Sequence, residues 1–217
     1  MKYPSLENEQ LAEFVGILLG DGCLGMYKCK SGNKISIQHR VKISLDSRNE
    51  IKYASYIESL IRQLFKIKPQ IKIRKNENTL DILIFKKDLL NFLLNEVDLK
   101  ISPKRNKAKI PSFYLKNKFE LFVLKGYFDT DGCIASVNNN GILYPRIEMK
   151  ICKSPMQRQF IDILRRNNFR FESYKIENEN IRIQLNGVKE LKKWHNLIGF
   201  SNSKNIERCN NFLRKQE

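Results

Sequence analysis

Two aspartates stand in matching surroundings 110 positions apart. Asp21 closes the apolar stretch FVGILLGDGC (14–23), Asp131 closes LKGYFDTDGC (124–133), and each is followed at once by Gly and Cys. A single Asp-Gly after a helical run is ordinarily a turn; its repetition asks for more. Two carboxylates brought together by symmetry repel unless positive charge sits between them. A divalent cation meets that need, because Mg²⁺ takes oxygen from one or two carboxylates and completes its shell with water and phosphate oxygens. Held against a phosphodiester, such a metal activates water and stabilises the leaving oxygen. A duplicated acid therefore suggests one metal-dependent cut on each strand of a duplex, with Asp21 and Asp131 as ligands.

What must position the acids is a duplicated unit. RVKIS (40–44) is echoed by EMKIC (148–152) at an offset of 108, in the same order as the first pair of motifs. Each copy reads α-β-β-α-β-β-α. The first predicts helices over about 7–20, 48–66 and 87–98, with hairpins turning at 31–34 and near 76–78. The second predicts helices over 118–130, 155–167 and 188–198, with hairpins turning at 138–141 and near 178–180. Domain bounds follow as 1–99 and 118–200, joined by a basic linker over 100–117 and trailed by a polar segment, 201–217, that is a short helix or a loose tail. The expected class is α+β with pseudo-two-fold symmetry.

Gly16 and Gly20 sit four apart in the first motif helix, and Gly126 and Thr130 are their counterparts. Glycine inside a helix costs about 1 kcal/mol against alanine. Small residues four apart share one helix face, so close packing of the two motif helices would offset that cost. Gly22 and Gly132 then end the helices just past the acids, as glycines often do.

The strands alternate. Gln38, Arg40, Lys42 and Ser44 oppose His39, Val41, Ile43 and Leu45, and the same pattern recurs over 71–75, 146–151 and 181–186. Each sheet thus has an apolar face for helices and a face rich in Arg, Lys, Gln and Asn, the side chains that reach base edges in a major groove. Glu148 is the one acid on those stretches. The expected DNA contacts are Lys28, Lys30, Lys34, Gln38, Arg40, Lys42, Lys72 and Arg74 in the first copy, and Arg146, Lys150, Lys175, Arg182 and Gln184 in the second. Composition agrees: 40 Lys+Arg against 23 Asp+Glu gives +17, a charge that opposes self-association and attracts polyanions. Five cysteines without a CxxC pair, and only two histidines, argue against zinc and for reduced thiols. No apolar run approaches membrane-spanning length, and MKYPSLENEQ lacks the core of a signal peptide, so an intracellular monomer with no membrane partner is expected.

FVGILLGDG (14–22) and LKGYFDTDG (124–132) resemble the paired motifs of monomeric LAGLIDADG homing endonucleases, with the duplication covering about 10–200. The resemblance implies a saddle of two antiparallel sheets in the major groove of a long, nearly asymmetric double-stranded DNA target. It implies cleavage of both strands with short 3′ overhangs, and Mg²⁺ (with Mn²⁺ as substitute) at Asp21 and Asp131. The carbonyls of Gly20 and Thr130 are further candidate ligands. The family's earlier motif acid matches Asp129 but Leu19 in the first copy. Its basic site at a strand end matches Lys153, which either turns to solvent or points at the metal; the second is expected. A further basic site before the last helix matches Lys87 in KKDLLNFLL (86–94). Two alternatives share the fold: a maturase that binds intron RNA, and a DNA-binding protein without activity. No splicing-type residues frame the chain, so self-splicing is not expected.

Overall fold

The computed structural model describes residues 3–32, 34–116 and 119–214. Helix α1 (Glu9–Leu19) starts where the Asn8 side chain accepts the Leu11 N–H at 2.9 Å, an N-cap that satisfies one of the first turn's free donors. It is buried from Leu11 to Leu19. Strands β1 (Gly22–Ser31) and β2 (Lys34–Asp46) form a hairpin, and α2 (Ile51–Phe65) follows, burying Tyr53, Ile57, Leu60, Ile61 and Leu64 at helical spacing. A second hairpin, β3 (Gln70–Ile73) and β4 (Thr79–Ile84), leads to α3 (Lys87–Asn91), which runs on as a π-helical turn over Phe92–Glu96.

The second copy repeats the plan: α4 (Phe119–Asp131), β5 (Gly132–Asn139), β6 (Ile142–Ile151), α5 (Met156–Arg166), β7 (Glu172–Lys175), β8 (Ile181–Asn186) and α6 (Val188–Leu197). The NNNG turn takes Asn140 and Gly141 to φ +51° and +86°, the left-handed pair that a tight hairpin requires. Both sheets are antiparallel and four-stranded, ordered β1-β2-β4-β3 and β5-β6-β8-β7. The polar C-terminal segment is a helix, α7 (Ser203–Arg214), rather than a loose tail.

The halves meet through α1 and α4. A β-carbon on Gly16 would overlap the Val123 carbonyl oxygen, and one on Gly126 would overlap the Glu13 carbonyl oxygen. A β-carbon on Gly20 would overlap the Thr130 hydroxyl. The contacts are reciprocal, as a pseudo-two-fold axis demands, and they explain why glycine is kept despite its helix penalty. Glu13, buried in this interface, pairs with Lys125 at 2.7 Å and accepts from the Tyr56 hydroxyl at 2.8 Å.

The segment between the copies is laced to both. The Ser102 N–H donates to the Leu24 carbonyl at 2.9 Å, and the Asn106 N–H donates to the Lys153 carbonyl at 2.6 Å. It therefore crosses the junction of β1 and the end of β6, directly beside the two motif aspartates.

Candidate active site and nucleic-acid interface

Asp21 and Asp131 come together where α1 and α4 end. The Ser44 N–H donates to the Asp21 carbonyl at 3.3 Å, tying the first motif to β2. Burial and then the neighbouring Asp131 charge push the Asp21 carboxyl up to about 7, against the pull of Lys104; Glu50 raises it and Lys204 lowers it more weakly. Asp131 opens to solvent on one side, yet the protein packed on its other sides raises its pKa too, while Lys104, Tyr127 and Lys150 pull it down. Two carboxylates held this way favour a shared proton or a cation.

The cation that the protein itself supplies is Lys104. Its ammonium donates to the Gly20 carbonyl, and its charge acts on both carboxylates without forming an ion pair to either. Burial lowers its own pKa even though both aspartates raise it. Beside it opens a cleft of about 410 Å³ lined by Lys104, Arg105, Asp131, Lys150 and Cys152. Sequence reasoning placed Lys104 in a linker and missed it. A signal was present: SPKRN (102–106) and SNSKN (201–205) each follow the last helix of a copy, and Lys204 is the second lysine acting on Asp21. Lys204, however, is held by the buried Glu50 at 3.0 Å.

The oxygen set suits a hard cation. Two carboxylates and the Gly20 carbonyl are Mg²⁺-type donors, and the Lys104 ammonium already seated on that carbonyl marks where positive charge is wanted. Among the described residues no cluster of three or more His, Cys, Asp or Glu forms a closed cage. A metal here would complete its shell with water or substrate oxygens. Thr130 turns its hydroxyl to the Tyr127 carbonyl at 2.9 Å and packs on Gly20.

Other expected residues lie elsewhere. Lys153 pairs with Glu179 at 2.6 Å, because the 177–179 turn brings that acid back over the end of β6. It follows the reading in which the strand end faces solvent, and is not among the strongest charges acting on either aspartate. Lys87 opens α3 exposed, and it too is absent from those charges. Asp129 is buried and structural: it accepts from the Ser201 and Asn202 N–H groups at 2.5 and 3.1 Å and from Asn205 at 2.9 Å, which fastens the start of α7. Burial pushes its carboxyl up to about 6 against those bonds.

The sheets divide the expected DNA contacts. Gln38, Arg40 and Lys42 share one face, opposite Tyr27, Gly25 and Cys23 across the hairpin. Lys28 and Lys30 pair with Ile37 and Ile35 and so point to the other face; Lys175, opposite Ile181, does likewise. One residue of slip reverses a strand side chain, and charge alone does not assign the residues of β1 and β7 to a face. The side chain of Lys34 lies outside the described residues. The polar faces also hold more acid than expected. Asp81, level with Ser44 and Lys72, takes Arg74 in a bidentate pair at 2.8 and 3.0 Å, a Ser44 bond at 2.7 Å and Lys42 at 4.0 Å. In the second sheet Glu148 accepts from Gln184 at 2.8 Å and Arg146 at 3.4 Å, and Arg146 also donates to Asn186 at 2.7 Å. Lys150 and Arg182 stand opposite one another on that face, next to Asp131's end of the sheet.

No protein-family model matches the chain. Over 127 residues it is 30% identical to the replication factor C small subunit of Methanocaldococcus jannaschii, a match that takes in 58% of this chain but only 6% of that relative's length. Among solved structures it resembles meganuclease I-SmaMI bound to uncleaveable DNA, with a TM-score of 0.66 at 12% identity over 98% of this chain and 92% of the other. I-DmoI in complex with DNA and Mn gives 0.59 at 18% identity over 89% and 98%. The I-LtrWI LAGLIDADG homing endonuclease bound to target DNA gives 0.64 at 12% identity over 96% and 91%. The likeness is one of fold: two similar halves, each a four-stranded antiparallel sheet with helices, as in the single-chain LAGLIDADG homing endonucleases. Among the described residues no helix is long and apolar enough to cross a membrane.

Proposed function

We propose that the chain is a site-specific DNA endonuclease that breaks both strands of a long, nearly asymmetric target in a metal-dependent reaction, leaving short 3′ overhangs. The observation that carries this reading is the convergence of Asp21, Asp131 and Lys104 at the junction of two sheets with basic faces. The DNA-bound state of the structural neighbours supports duplex DNA as the partner, and an RNA partner finds no such support.

In this reading the polar faces of the two sheets track the major groove and deliver the phosphates to the helix ends. Asp21, Asp131 and the Gly20 carbonyl would hold Mg²⁺ or Mn²⁺, whose chemistry is to activate water and to stabilise the leaving oxygen. Lys104 places a positive charge beside both carboxylates, where charge develops on the phosphate. The tightly packed α1–α4 pair keeps the acids in register.

The test is incubation of supercoiled plasmids carrying the intronless host locus with the protein and Mg²⁺ or EDTA. Linear product with Mg²⁺, none with EDTA, and short 3′ ends on sequencing are expected. Specific binding without cleavage at any Mg²⁺ or Mn²⁺ concentration would overturn the nuclease reading.

A further inference from the structure

Several long polar side chains on the sheet faces are already engaged. Arg74 is bound by Asp81 and Glu77, and Arg146 by Asn186 and Glu148. Arg40, like Arg182, has no acid paired with it among the described residues, but it differs in lying on the polar face opposite Gly25 with an aromatic ring against it. Its guanidinium carbon stands 4.0 Å from the centre of the Tyr27 ring. That ring lies over Gly25, where a β-carbon would come within 2.6–2.7 Å of the Tyr27 Oη, Cε2 and Cζ. The Tyr27 hydroxyl is 3.6 Å from Cys23 Sγ, which steadies the far edge of the ring. Among the described residues Arg40 Nε is buried without a hydrogen-bond partner, and the ring is the group that holds the guanidinium.

A glycine that seats an aromatic ring, and a ring that fixes the plane of an arginine, together make a pre-set fork. Stacking on an aromatic face orients a guanidinium without using its donors, and the fork then matches the O6 and N7 acceptors of guanine in a major groove. Arg40 lies four residues before Ser44 on the same strand face, and Ser44 is bonded to Asp21. At about 3.3 Å per strand residue that is about 13 Å, or about four base pairs at 3.4 Å each. In the second copy Arg146 stands opposite Ala135 as Arg40 stands opposite Gly25, but Val137 takes the place of Tyr27 and Arg146 is held by Asn186 and Glu148, so only the first half carries the device.

Resting on the endonuclease reading above, we infer that Arg40, positioned by Tyr27 over Gly25, reads a single guanine about four base pairs from the cleavage centre, in the half-site held by the first sheet.

The experiment is selection of bound sequences from a randomised duplex library, repeated with Arg40→Ala, Tyr27→Ala and Tyr27→Phe. For the unchanged protein a guanine is expected at that distance. Arg40→Ala should lower the preference there about tenfold or more and leave the other positions as they were. Tyr27→Ala should weaken it severalfold, whereas Tyr27→Phe, which keeps the ring, should retain it; a purely structural role for the tyrosine would not affect one base position alone. Uniform loss of affinity in Arg40→Ala, with the sequence profile unchanged, would make Arg40 a phosphate contact and overturn the inference. Absence of guanine at that distance would overturn it as well. Failure of the unchanged protein to select any sequence would instead overturn the endonuclease reading itself.

Discussion

The two halves share one backbone plan and arrange their charges differently. Asp21 has Lys104, Lys204 and Glu50 around it, whereas Asp131 has Lys104, Tyr127 and Lys150. The lysine that follows the first copy is seated on a backbone carbonyl, with its charge felt by both carboxylates; the lysine that follows the second is neutralised by a buried glutamate. The sheets differ in the same way: Asp81 gathers cations in the first, and Glu148 gathers an amide and an arginine in the second. Duplication fixed the scaffold and the pair of acids. The basic residues around them diverged, and the difference predicts two unequal halves of one active centre.

The largest effect tests what the halves have in common. Asp21→Asn or Asp131→Asn should reduce double-strand cleavage at least about a thousandfold while leaving DNA affinity within a few fold, measured by plasmid linearisation and by binding to labelled duplex. Either variant linearising DNA at the original rate would remove that aspartate from the centre. The next effect tests how the halves differ. Lys104→Met should slow single-turnover cleavage about a hundredfold, on both strands, because its ammonium serves both carboxylates. Lys204→Met should cost much less and fall on one strand, so that nicked plasmid accumulates. Equal losses in the two variants would mean that the Glu50 pairing does not hold Lys204 out of the reaction.

A third prediction uses the raised acids. Asp21, pushed up to about 7 chiefly by burial, must lose its proton before it can bind a metal. The Mg²⁺ concentration for half-maximal cleavage should therefore rise about tenfold for each pH unit below 7 and level off above 8. The sign for folding is opposite. A carboxyl whose folded pKa is raised favours the fold while protonated, so the metal-free protein should lose stability as pH climbs from about 4 through 7. Thermal melts at pH 6 and 8, with and without Mg²⁺, measure both; a metal requirement indifferent to pH would break the link.

The repeat made much of this legible from residues alone. The order of elements, the glycine seam and the aspartate pair all follow from matching FVGILLGDGC to LKGYFDTDGC, because close helix packing leaves a signature of small residues at fixed spacing. The basic partner did not follow. Lys104 lies in an irregular segment with no period, and only the hydrogen bonds of Ser102 to Leu24 and Asn106 to Lys153 bring it over the aspartates. Register was equally hidden: Lys28 and Lys30 looked like their neighbours in charge, and pairing with Ile37 and Ile35 alone assigns them to the other face. Nor could alternation reveal that Asp81, on a strand of mostly apolar residues, would neutralise Arg74.

The smallest effect separates the two strand ends. Lys153 is half exposed and spends its ammonium on Glu179, an acid supplied by a turn that projects from the second sheet. Exposed pairs of this kind add little stability, and this lysine is not among the strongest charges acting on either aspartate. Lys153→Met should therefore leave the single-turnover rate within about twofold, since a rate effect needs charge at the reacting phosphate. DNA affinity should weaken slightly and more at low salt, by the share of one screened surface charge. If the variant instead slows cleavage by as much as Lys104→Met, with affinity unchanged, then bound DNA must draw Lys153 away from Glu179 and into the centre. The second half would then have its own lysine after all, and the inequality between the halves would belong to the free protein alone.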